Sequence, residues 1–256
     1  MQRLTVQDVY DWLNSIAPFE TAESYDNVGL LVGAMQTEIK NILITLDVTP
    51  ETIDEAVKHD AQLIIAHHPI MFHGTKHILE NEYEGRILSC LIRNHLSMIA
   101  SHTNLDQSPM YSGSAVLAGL LDLKNIQQNG YVFVGEIPDG PISASELSDR
   151  ISNCENEPVY IFGKENSQII KLGICGGAFD NGFALAKEMG AQAYLTGEIH
   201  HHIALEAAGN NFVLYQGGHF GTEAPLVPVL SKALQKHLEE LKYIVNVYPS
   251  VLHPYR

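Results

Sequence analysis

Short apolar runs recur along this chain, each followed by a segment of helical period, and that alternation constrains its fold more than any other feature. Asn41-Ile42-Leu43-Ile44-Thr45-Leu46-Asp47 reads as a strand, and Thr49-Pro50-Glu51 starts a helix, with Pro at the first helical position after a Thr cap. A strand over 62–68, a helix over 84–94, a strand over 96–103 and a helix over 111–121 follow. Before them, residues 5–15 read as a helix capped by Thr5, and 25–30 as a loop. The pattern restarts near residue 130. Strands are expected at 131–137, 159–162, 169–175, 192–195 and 212–215, with helices over 143–152, 183–189, 201–208 and 223–240. The last strand, 243–247, closes the sheet. Such alternation predicts an α/β protein: two similar α/β halves with mixed, mostly parallel sheets covered by helices. The halves are expected at 1–125 and 126–256, joined near 123–130.

In open α/β sheets, ligands gather beyond the carboxyl ends of the strands. Metal-liganding side chains stand at several such ends. His67 and His68 end the run Leu63-Ile64-Ile65-Ala66 and are stopped by Pro69; Asp106 ends the run 98–105; His219 follows Phe212-Val213-Leu214-Tyr215 after Gly217-Gly218. His219 and Glu223 are four apart at a helix start and share one face. Adjacent His67 and His68 point to opposite sides of an extended segment, so they can grip two ions flanking the strand end. Three His and two carboxylates exceed the ligands of one catalytic zinc and suit a two-metal centre with room for water. Three imidazoles favour Zn, Fe or Mn over Mg or Ca. Taken singly, each His also reads as an unrelated polar residue at a loop start.

Other segments carry weaker signals. His102, four residues before Asp106, is the candidate acid–base group. Thr196-Gly197-Glu198-Ile199-His200-His201-His202 again follows a strand end. The loop 176–182 reads either as a phosphate cradle or as a tight turn needing positive φ. His73 and His77 flank Gly74 in a rim loop.

Composition bounds the function classes. A net charge of −15 over 256 residues, with no basic run, argues against a phosphate-backbone binder, so nucleic acid is not an expected partner. Cys90, Cys154 and Cys175 are isolated and form no disulfide framework, which points to a reducing compartment. No run approaches the roughly 18 apolar residues of a membrane span, and the expected location is the cytoplasm.

At five motifs the sequence resembles the YbgI-like dinuclear metal proteins, the GTP cyclohydrolase I type 2 homologues. They are Tyr25-Asp26-Asn27-Val28-Gly29-Leu30, Ala66-His67-His68-Pro69, His102-Thr103-Asn104-Leu105-Asp106, Thr196-Gly197-Glu198 and Gly218-His219-Phe220-Gly221-Thr222-Glu223. The resemblance implies that His67 and Asp106 hold one divalent ion, His68 and His219 the other, and that Glu223 bridges both. It implies the compact family form, without an inserted domain, assembled as a toroidal homohexamer. It also implies a hydrolase whose metal-activated water opens the imidazole ring of a nucleotide such as GTP, or acts on another small polar substrate. A non-catalytic metal-binding ring assembly is the alternative.

Overall fold

The structure, a computed structural model, describes residues 3–255. The chain order begins β1 (Leu4–Thr5), α1 (Val6–Ile16), β2 (Gly29–Val32), β3 (Glu38–Ile39), β4 (Asn41–Thr45) and α2 (Pro50–Lys58). Next come β5 (Leu63–Ala66), α3 (Tyr83–Arg93), β6 (Ser97–Ala100) and α4 (Thr103–Asp106). A second series holds α5 (Gly113–Leu120), β7 (Lys124–Asn129), β8 (Val132–Glu136), β9 (Ile142–Ser143), α6 (Ala144–Glu155), β10 (Tyr160–Phe162) and β11 (Gln168–Ile169). It continues with β12 (Lys171–Cys175), α7 (Gly182–Glu188), β13 (Ala193–Thr196), α8 (His201–Gly209), β14 (Val213–Gln216) and α9 (His219–Glu223). Two elements close the chain, α10 (Leu226–Glu240) and β15 (Asn246–Pro249). Among the described residues, no helix is long and apolar enough to cross a membrane.

The chain divides into two compact units, Met1–Ser108 with Val227–Arg256, and Pro109–Leu226. In the first, the sheet order is β15-β4-β5-β6-β2. The four strands β15, β4, β5 and β6 are parallel, and β2 pairs antiparallel with β6. The interior strands are buried on both faces, which is why β5 and β6 are apolar or small at every position. Leu43, Ile64 and Met98 pack with Ile53 of α2 and Leu91 of α3. The sequence signals for the helix starts are realised: Thr5 and Asp8 form a reciprocal capping box on α1, and Thr49 caps α2 with Pro50 at its first turn.

The second unit repeats the arrangement with a wider sheet, β10-β14-β13-β12-β8-β7. Strands β12, β13 and β14 are parallel, while β10, β8 and β7 join antiparallel. Leu147 and Ile151 of α6 pack on Leu172, Ile174, Leu195 and Tyr215. On the other face Phe183, Ala186 and Ala207 pack on Tyr194 and Leu214. Both sheets are therefore mixed and helix-covered, as the alternation predicts.

Several local expectations are corrected. Residues 123–130, read as a joint, contain the edge strand β7, whose six residues are all exposed and so carry no apolar signal. The strand read over 96–103 ends at Ala100, and Asp106 closes a single helical turn. The helix read over 223–240 is α10, which starts at Leu226, and Glu223 closes the separate short helix α9. The last strand forms later than 243–247, as β15, and pairs with β4 in the first unit.

Candidate metal centre

In the first unit, β5 delivers His67 and His68 at its carboxyl end. The backbone amides of His67 and His68 donate to Thr45 O and Leu46 O, which continues the ladder beyond β5 and fixes where each imidazole leaves the chain. His67 is buried. Its Nδ1 donates to the carbonyl of Ser101 at 2.9 Å, and Nδ1 of His68 lies 2.8 Å from Oδ1 of Asp47. Nδ1 of His102 lies 3.0 Å from Oδ1 of Asp26. Carbonyl and carboxylate oxygens only accept, so all three rings carry hydrogen on Nδ1, which leaves Nε2 as the nitrogen that can ligate a metal.

The three imidazoles converge: one ring nitrogen from each of His67, His68 and His102 lies within 4.8 Å of the other two. Nε2 of His67 is 3.5 Å from Oδ1 of Asp106, one helical turn beyond His102. His67, His68, His102 and Asp106, all singled out in the sequence, are thus neighbours in this unit, and His67, His68 and His102 form a group that could hold a metal ion. His73 and His77 stand apart, lining with Lys76 a separate cavity of about 410 Å³. A cavity of about 340 Å³ opens beside His68, lined by Asp47, Thr49, Ile70, Tyr83 and Glu84 among others.

Asp26 was readable only as part of a motif, because its partner lies 76 residues away. Its side chain is fully buried. Burial alone would raise its carboxyl, but hydrogen bonds from His102 and from the amide and hydroxyl of Thr103 outweigh that and hold it well below the usual carboxylate range. The ionised carboxylate fixes His102. Asp47 was missed as well, although a carboxylate just past the carboxyl end of a central strand is the available signal.

In the second unit, α9 places His219 and Glu223 on one face, with Nε2 of His219 3.3 Å from Oε2 of Glu223. Nδ1 of His219 lies 2.8 Å from Oε1 of Glu198, so the first residues past β13 set this ring's tautomer as Asp47 sets that of His68. Glu223 is buried. It packs on the loop that follows β12: a Cβ at Gly177 would stand 2.2 Å from Oε1 of Glu223, and Gly177 has φ +66°. The amide of Gly177 donates to Thr222 Oγ1, and its carbonyl accepts from the amides of Gly197 and Glu198. Loop 176–182 is therefore the tight turn of the two readings, a shelf for Glu223. His200 pairs with Asp180 on the surface, and the hydrogen bond and charge of that carboxylate raise its pKa. His200 and His202 stack on one another at 5.8 Å.

Helix-covered mixed sheets, with imidazoles gathered at the strand ends in a cluster that could hold a metal ion, define the class: an α/β protein with a candidate metal centre. The chain belongs to the Duf34/NIF3 (NGG1p interacting factor 3) family, whose model matches residues 4–254. It is 29% identical over 248 residues to a Clostridium acetobutylicum protein named GTP cyclohydrolase 1 type 2 homolog, covering 93% of this chain and 92% of that one. It superposes with a TM-score of 0.93 on the crystal structure of Staphylococcus aureus hypothetical protein SA1388, at 28% identity and over 100% of this chain and 99% of the other. The solved structure of protein ybgI shares the fold, with a TM-score of 0.86 at 22% identity over 98% of this chain and 100% of that one.

Proposed function

We propose that this chain is a dinuclear metal-dependent hydrolase acting on a small polar substrate, a nucleotide among the candidates. His67 and Asp106 would hold one divalent ion, His68 and His219 the other, with Glu223 as the bridge and Zn, Fe or Mn as the metal. When bound, such ions supply Lewis acidity and lower the pKa of water towards neutrality. The chain's own residues do the rest. Asp26 holds His102 with Nε2 facing the His67–His68 pair, where it can take or return a proton during turnover. Asp47 and Glu198 keep His68 and His219 in the ligating tautomer. The cavity beside His68 has room for a small planar substrate.

The observation that carries this reading is that four imidazoles, His67, His68, His102 and His219, each have Nδ1 tied to an acceptor. Surface His200 makes the same bond to Asp180, but at the site the tied rings also converge, His67, His68 and His102 each offering a nitrogen within 4.8 Å of the other two. The names of relatives suggest GTP and opening of its imidazole ring as the first reaction to test. Metal-replete protein should be incubated with a panel of nucleotides and phosphoesters and the products read by mass spectrometry. Turnover that needs metal supports the hydrolase. Metal binding without turnover on the whole panel returns the chain to the alternative, a metal-binding assembly. A homohexameric ring belongs to the same proposal; exposed Phe72 and Met110 are apolar surface that closed symmetry would cover. Light scattering that gives a monomer at micromolar concentration removes the ring.

A further inference from the structure

We infer that the first unit is by itself a one-ion site of three imidazoles, His67, His68 and His102, which takes a borderline divalent cation such as zinc, cobalt or ferrous iron without a ligand from the second unit. The inference rests on the metal-binding part of the reading above and not on its hydrolase part. It differs from the family pattern, which leaves His102 outside the ligand set. The relay role of His102 belongs to the two-ion state; here it is a ligand in the one-ion state.

The geometry is that of a three-histidine site. One ring nitrogen from each residue lies within 4.8 Å of the other two. Around a zinc with bonds of about 2.1 Å, ligand nitrogens stand roughly 3.3 Å apart, so small side-chain rotations close the set. Each ring is held from behind by a different part of the fold: the Ser101 carbonyl past β6, Asp47 past β4, and Asp26 before β2. Three independent anchors on one cluster are the carboxylate–histidine or carbonyl–histidine supports that orient metal ligands.

Asp26 is the decisive one. Its second oxygen accepts from both the amide and the hydroxyl of Thr103, so the carboxylate is locked and His102 with it. The Nδ1 bond to that carboxylate sets the direction of the His102 ring from within the first unit. Asp26 and Asp47 place two negative charges behind the imidazoles, and Oδ1 of Asp106 stands 3.5 Å from Nε2 of His67. A dication is then balanced without Glu223.

The test removes the second unit's ligands from the full chain with His219→Ala/Glu223→Ala and measures zinc affinity by chelator competition, with cobalt(II) absorption as the spectroscopic readout. The double variant should keep one ion per chain and an imidazole-rich cobalt spectrum. Adding His102→Ala should weaken that ion about 100-fold, and adding Asp26→Asn about tenfold. The Asp26→Asn effect should vanish once His102 is already Ala, which a merely structural carboxylate would not do. Melting of the metal-free proteins identifies any variant that fails to fold; His102→Gln then replaces His102→Ala. A double variant that binds no ion overturns the inference, as does an affinity changed less than twofold by loss of His102. If the wild type binds two ions while the double variant binds none, the dinuclear reading stands and this one falls. If the wild type never exceeds one ion, held through His102, the reverse holds.

Discussion

The two units are built on the same frame and furnished differently. Thr5 caps α1 in the first as Ser143 caps α6 in the second, each cap leaving a two-residue antiparallel bridge, β1–β3 and β9–β11. Gln62 Oε1 accepts from the amides of Lys40 and Asn41, and Gln192 Oε1 does the same for Ile170 and Lys171. The parallel trios β4-β5-β6 and β12-β13-β14 each carry an antiparallel neighbour on one side, β2 beside β6 and β10 beside β14, and β15 adds a fourth parallel strand to the first. At the strand ends the likeness stops. Past β5 stand His67 and His68, while past β13 stand Gly197 and Glu198; past β4 stands Asp47, while past β12 stand Gly176 and Gly177. The frame tolerates both sets because those positions lie beyond the ladders, where side chains answer to the site and not to the sheet. At these ends the first unit carries His67, His68 and His102, and the second carries His219 with Glu198 and Glu223.

The largest effect should come from the second unit's carboxylate. Glu223→Gln removes a charge and keeps the shape, so two cations would repel with less compensation. At least one ion per chain should be lost with little change in melting temperature. Elemental analysis showing wild-type metal content in the variant would take Glu223 out of the bridge.

A second difference between the units is electrostatic. Helix α6 ends in Glu155, which is buried; burial pushes its carboxyl up to about 8, and the nearby charge of Glu157 adds to the rise. The folded state then holds a proton that the unfolded state releases above its ordinary value of 4.5, so stability is greatest at low pH and falls as pH rises through the window up to about 8. Across that window the loss is on the order of 2–4 kcal/mol. Glu155→Gln should flatten the slope, as measured by urea unfolding at pH 5 and pH 8.5. Parallel slopes for variant and wild type would mean that the carboxylate reaches water.

Gly177→Ala probes the shelf under Glu223. Positive φ alone costs an L-residue roughly 1–2 kcal/mol, and the added Cβ would collide with Oε1 of Glu223. Gly130→Ala, at φ +57° with nothing within 4 Å, should show the strain alone. Equal losses in urea unfolding would show that Glu223 moves aside freely. The smallest effect tests the shared frame: Gln62→Ala and Gln192→Ala each orphan two amides and should cost about 1–2 kcal/mol apiece. A twofold disparity between them would break the equivalence of the units.

The parts of the fold legible in the sequence were those with a local cause. Apolar runs such as 63–66 and the caps Thr5 and Thr49 announce themselves within a few residues. The ligand candidates were visible because His67, His68 and His219 sit at strand ends. What stayed hidden depends on distant partners. Strand β7 is polar because both its faces are exposed, and β15 owes its place to pairing with β4. Asp26 owes its role to His102, and nothing in the residues around it records that link.

The pairing of β15 with β4 has a consequence for how the chain comes into being. Emerging from a ribosome, residues 1–108 expose the β4 edge that only the final thirty or so residues will cover, and they must wait for the intervening unit to be synthesised. The second unit is contiguous and can close as soon as it is made. Folding in vivo is therefore expected to run from the middle outwards, with the imidazole-bearing unit completed last. A stall or premature stop after residue 226 would leave that unit with an open parallel edge, the kind of surface that recruits other chains.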